Sequence, residues 1–88
     1  METMLSESVE RDSNLKEKIM LDMVEIGRRI CEKRRNSGMS QTDLANMLFV
    51  SCQAVSKWER GISVPEISNL KRMSRILGVS VDYLIDNE

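Results

Sequence analysis

Histidine is absent from all 88 residues. That removes the commonest general base and the imidazole ligand of most zinc sites. The two cysteines, Cys31 and Cys52, lack CxxC spacing. They indicate neither a zinc knuckle nor a redox pair, and read as reduced thiols of a cytosolic protein. One proline and four glycines are too few for a hairpin-rich β fold. Aromatics are reduced to Phe49, Trp58 and Tyr83. No apolar run approaches the ~18 residues that a membrane span requires. The start of the chain, METMLSESVERD, is acidic and has neither the basic opening nor the apolar stretch of a signal peptide. With no metal-ligand cluster and no phosphate-binding loop, an enzyme is disfavoured and no cofactor is expected.

What remains is Leu, Ile, Val and Met, the composition of helices packed on helices in one small domain. The seven methionines suit core filling. The formal net charge of −1 hides a partition. Residues 27–77 hold ten Lys and Arg against four Asp and Glu, whereas residues 1–26 hold three against seven and residues 78–88 none against three. A basic middle between acidic ends fits a polyanion held on one surface.

Residues 1–12 are polar, acidic and aperiodic, and are expected to be disordered. Residues 13–25 read as a helical extension and residues 26–86 as the domain proper. From Ser13, a possible N-cap, a helical pattern runs to about Ser37. Its apolar stripe is Leu15, Ile19, Met23, Ile26 and Ile30. Gly38 stops it. Gly27 marks either a break or a close packing contact. Ser40 opens the next helix, with Asp43 able to complete a capping box, and Leu44, Ala45 and Leu48 face inward. Ser51 caps a third helix, which turns Val55 and Trp58 inward and Gln53, Ser56, Lys57 and Arg60 outward. Gly61 ends it. Pro65 precedes a fourth helix with the stripe Ile67, Leu70, Met73 and Leu77, stopped by Gly78. Ser80 caps a last short helix carrying Val81, Leu84 and Ile85.

These pieces, taken together, resemble the Cro/cI-type helix-turn-helix domains of phage repressors and bacterial regulators. Ile26-Gly27, Gly38-Met39-Ser40-Gln41, Leu44-Ala45, Val50-Ser51, Ser56-Lys57-Trp58-Glu59-Arg60-Gly61, Pro65 and Leu77-Gly78-Val79-Ser80 carry the resemblance. It implies an all-α, compact five-helix lambda-repressor-like domain, here with an N-terminal helical extension. It also implies sequence-specific binding of double-stranded DNA in the major groove by a transcriptional regulator, most simply a repressor, in the cytoplasm at the nucleoid. The third helix becomes the recognition helix, as in the repressors for which this docking is defined. Ser51, Cys52 and Gln53 at its tip, then Ser56 and Lys57, meet base edges. Gln53 suits adenine, and Lys57 suits guanine or phosphate. Gln41 heads the preceding helix and is placed on the DNA backbone. Arg60, with Lys71, is a phosphate contact. An ion pair of Arg34 with Glu59 is implied as well. Outside the site, Arg28, Arg29, Lys33 and Arg35 read as a solvated helix face.

Three residues depart from the family pattern. Phe49 stands where the inter-helix corner usually has Gly, so the turn is either strained or differently shaped. Lys33 occupies a usually apolar position and is expected to snorkel outward. Cys52 replaces a long polar reader, and its place at a helix N-terminus makes redox control conceivable. One monomer reads few base pairs, so a homodimer on a palindrome is expected. Its contact would lie either in Val79, Tyr83 and Ile85 or in the stripe Leu15, Ile19 and Met23. The alternative function is an antitoxin or protein-interaction module that grips a protein partner through residues 13–25 and binds DNA for autoregulation.

Overall fold

The computed structural model describes the backbone of residues 2–86 and the side chains of residues 14–86. The described elements are five helices: α1 Glu2–Asn36, α2 Gln41–Leu48, α3 Cys52–Glu59, α4 Ile67–Leu77 and α5 Val81–Asp86. α1 is a single helix of 35 residues, on the order of 50 Å long at ~1.5 Å per residue. Ser13 therefore lies inside it rather than at its start. The boundary expected between residues 1–12 and 13–25 has no counterpart in the backbone. The disorder expected of residues 1–12 is not what the backbone shows, since residues 2–12 are the first turns of α1.

Gly27 does not break α1. A Cβ built there would strike the Trp58 carbonyl oxygen and lie 2.9 Å from that of Glu59. Glycine thus lets α1 lie directly on the last turn of α3. Gly61 extends the same contact, because its own Cβ would fall 2.9 Å from the Val24 Cα, and its φ of 74° closes α3.

The core gathers one stripe from each helix: Ile26 and Ile30 from α1, Leu44, Ala45 and Leu48 from α2, Val55 and Trp58 from α3, Leu70, Met73 and Leu77 from α4, and Leu84 from α5. Burying these side chains against one another is the main stabilising term, at ~25 cal/mol per Å² of apolar surface. Two stripes fall short of what periodicity suggested. Ile67 starts α4 beyond the reach of the other helices and stays exposed, and Leu15 and Ile19 are likewise exposed. The helical period identifies a face but cannot say where the neighbouring helix ends.

Arg29 and Lys33 are not the solvated face they were expected to be. Arg29 is buried, and its Nη1 donates to the Leu84 and Ile85 carbonyls at 3.2 and 2.8 Å. It satisfies the orphan C-terminal acceptors of α5 and draws on that helix's negative dipole end. Lys33 places its Nζ 5.1 Å from the Tyr83 ring centre, a cation–π contact that accommodates a charge at a usually apolar position. Arg28 does remain exposed, paired with Glu25 and Glu32 at 3.1 and 3.0 Å.

Candidate nucleic-acid interface

α2 and α3 form the helix pair, and local chemistry fixes both starts. The Ser40 hydroxyl accepts from the Asp43 backbone N–H at 3.0 Å, and the Asp43 carboxylate accepts from the Ser40 N–H at 2.9 Å. That reciprocal box satisfies two orphan donors, and its hydrogen bonds lower the Asp43 carboxyl pKa. Ser51 caps α3, accepting from the Ala54 N–H at 3.1 Å.

The corner between them is closed by Phe49 in the left-handed conformation, φ 57° and ψ 41°. Of the two outcomes left open by its side chain, strain is the one realised. The turn keeps the shape that glycine usually supplies, because the Val50 N–H reaches the Ala45 carbonyl at 3.0 Å. This bond pattern closes a helix only through a left-handed residue. The Phe49 side chain gains nothing in return, being 89% exposed.

A buried network sets the angle of α3. Arg34 Nε and Nη2 donate to the Glu59 carboxylate at 2.6 and 3.0 Å, and Gln41 Nε2 donates to Glu59 Oε1 at 3.0 Å. Arg34 also donates to the Met39 carbonyl at 2.7 Å. The side chains of Arg34 and Glu59 are only 8% and 4% exposed. Burial alone would raise the Glu59 carboxyl, but the hydrogen bonds from Arg34 and Gln41 and the Arg34 charge outweigh it and hold it below its ordinary range. A bidentate guanidinium–carboxylate pair is geometrically strict, so it locks α1, the start of α2 and the end of α3 together.

α3 then presents its polar face. Val55 and Trp58 are buried, while Gln53, Lys57 and Arg60 are exposed and Cys52 and Ser56 are half-buried beside them. Gln53, Ser56, Lys57 and Arg60 share one stripe at helical spacing, with exposed Ser51 at its tip. The structure therefore brings together Ser51, Cys52, Gln53, Ser56, Lys57 and Arg60. Gln41 sits at the head of α2, half-buried, with its amide nitrogen on Glu59 rather than pointing freely outward. Arg60 folds back, its Nε donating to the Ser56 hydroxyl and carbonyl at 3.2 and 3.3 Å. Cys52 accepts from the Thr42 hydroxyl at 3.5 Å. Thr42 escaped the sequence reading; its only signal was a polar side chain next to Gln41 at the head of α2. Among the described residues no carboxylate pairs with Lys57, Arg60 or Lys71.

The profile of the helix-turn-helix family matches residues 30–84. The HTH-type transcriptional activator BcrR of Enterococcus faecalis is 34% identical over 65 residues, which is 74% of this chain and 32% of that protein. The P22 c2 repressor, solved in complex with a synthetic operator, superposes with a TM-score of 0.69 at 36% identity, covering 72% of this chain and 96% of that one. SinR, solved in complex with DNA, gives a TM-score of 0.64 at 37% identity, covering 69% and 98%. The chain spans between about a third and about half the length of the first curated relatives it matches.

Proposed function

This chain belongs to the Cro/cI-type helix-turn-helix family, and from that premise we propose that it is a sequence-specific DNA-binding transcriptional regulator that seats α3 in the major groove. The observation that carries the proposal is the polar stripe Gln53, Ser56, Lys57 and Arg60, laid open on the side of α3 opposite Val55 and Trp58. Among the described residues its side chains bond only within the stripe, Arg60 to Ser56.

Roles follow from chemistry and position. The Gln53 amide can donate to N7 and accept from N6 of adenine in one bidentate contact, and Lys57 donates to guanine or to a phosphate. Ser51, Cys52 and Ser56 are short and read what lies directly beneath the helix. The Cys52 thiol, already engaged by Thr42, offers apolar contact to a thymine methyl. Gln41 contributes a phosphate contact through the α2 N-terminus, where free backbone N–H groups and the helix dipole favour an anion. The bond to Glu59 fixes its side chain for that contact. Arg60 neutralises a flanking phosphate.

Two copies on a palindrome, with half-sites about 34 Å apart, supply the specificity that one short helix lacks. The regulatory sense we assign is repression in the cytoplasm, by covering duplex that polymerase must enter. Residues 26–86 are the reading unit in this account, and residues 13–25 are an extension of α1. Selection of bound sequences from random duplex DNA tests the proposal. Enrichment of a two-fold symmetric site supports it, and recovery of no enriched sequence would refute it.

A further inference from the structure

Arg60 is the C-cap of α3 and its side chain is exposed. Instead of trailing into solvent, the side chain turns back along the helix. Its Nε donates to the Ser56 hydroxyl at 3.2 Å and to the Ser56 carbonyl at 3.3 Å. That carbonyl also accepts from the Arg60 backbone N–H at 3.0 Å. Among the described residues no carboxylate pairs with Arg60.

Part of this arrangement is helix capping. A cation at a helix C-terminus is drawn to the last carbonyls and to the negative end of the dipole. Capping needs only a carbonyl, whereas here the Ser56 hydroxyl is a second acceptor for the same N–H. Nε is therefore held from two points. A guanidinium is planar, so holding Nε orients the whole group. The edge that carries Nη1 and Nη2 stays free, and its two N–H groups match two oxygens of one phosphate. A loose arginine must give up rotamer freedom to make that contact. An arginine already held gives up less.

We propose that Ser56 is a positioning residue, which holds the Arg60 guanidinium with its two terminal nitrogens ready for one phosphate of the duplex. This role presupposes the DNA-binding reading above and deepens it. It leaves Ser56 its own contact, because a hydroxyl that accepts from Arg60 keeps a proton to donate. Lysine at position 60 cannot replace the arginine. Its single nitrogen carries the charge but cannot bond Ser56 and also offer a two-pronged edge.

The test is a double-mutant cycle of Ser56→Ala and Arg60→Lys on the duplex selected from random DNA. Ser56→Ala should weaken binding about threefold more with Arg at position 60 than with Lys, the share of one hydrogen bond. Phosphates are then replaced one at a time by uncharged methylphosphonates. One linkage per half-site should cost the wild type affinity and cost Arg60→Ala none. At that linkage the cost should shrink in Ser56→Ala, and at the other linkages it should persist. An equal loss with Arg and Lys overturns the proposal, and so does a Ser56→Ala linkage profile identical to that of the wild type. A wild type that selects no sequence removes the DNA-binding reading and this role with it. A selected sequence without the coupling removes this role alone.

Discussion

Phe49 is the strained residue of the site, with φ 57° and a ring left in solvent. A left-handed non-glycine residue costs roughly 1–2 kcal/mol, against which glycine loses about 0.5–1 kcal/mol more entropy on folding. Because the exposed ring contributes no packing, the first term wins. Phe49→Gly should raise the melting temperature by a few degrees, at ~4–8 °C per kcal/mol for a domain this size. A fall in melting temperature would mean that the ring packs on something. The residue was legible in the sequence as an exception, since a bulky side chain stood where the family has glycine. Which outcome it forces follows only from the backbone hydrogen bond that the corner must make. The contacts of Cys52 with Thr42 and of Gln41 with Glu59 were not legible, because they join residues 10 and 18 positions apart on different helices. At the same scale, Lys57→Ala should weaken DNA binding. If its contact is to phosphate, it should also flatten the slope of log affinity against log salt by about one.

At the scale of elements, α3 is held by its two ends. Gly27 admits α1 onto its last turn, and Glu59 ties that turn to Arg34 and Gln41. Gly27→Ala should destabilise the domain, because the new methyl meets the Trp58 carbonyl with only backbone to yield. A urea midpoint equal to that of the wild type would show that α1 can lift away. Glu59→Ala leaves the Arg34 guanidinium buried without its partner, which costs about 3–5 kcal/mol, a large share of the ~5–15 kcal/mol of a typical domain.

The pair also sets the acid limb of stability. The folded Glu59 pKa is depressed below the unfolded value of about 4.3. Its contribution is therefore fully present above about pH 5 and is lost as pH falls through the lower folded value. Urea midpoints should be flat from neutral pH to about 5 and then decline. Glu59→Gln should be less stable and should lose the Glu59 share of that decline, while the Asp43 carboxyl, also held low, keeps its own. The helices themselves were legible, since caps at Ser40, Ser51 and Ser80 and glycine stops are local devices. The burial of Arg29 was not, because its partners, the last carbonyls of α5, lie 55 and 56 residues away.

At the scale of the molecule, the basic middle of the sequence overstates the basic surface. Of its ten cations, Arg28, Arg29 and Arg34 are spent on contacts within the protein. The cations left for a polyanion include Lys57 and Arg60 on α3 and Lys71, Arg72 and Arg75 on α4. In the proposed complex charge guides approach to DNA, and selectivity falls to the few side chains that α3 exposes. Two copies should occupy a site as one cooperative unit, so a duplex with only one half-site should bind far more weakly than the palindrome, as band-shift titration would show. The central claim is that this polar stripe reads base edges, and Gln53 is its longest uncharged reader. The most direct test is the affinity of Gln53→Ala for the selected site and for each of its single-base-pair variants. The loss should be about 1–3 kcal/mol, with discrimination abolished at one A·T pair per half-site and kept elsewhere. Wild-type affinity with every base preference intact would contradict it.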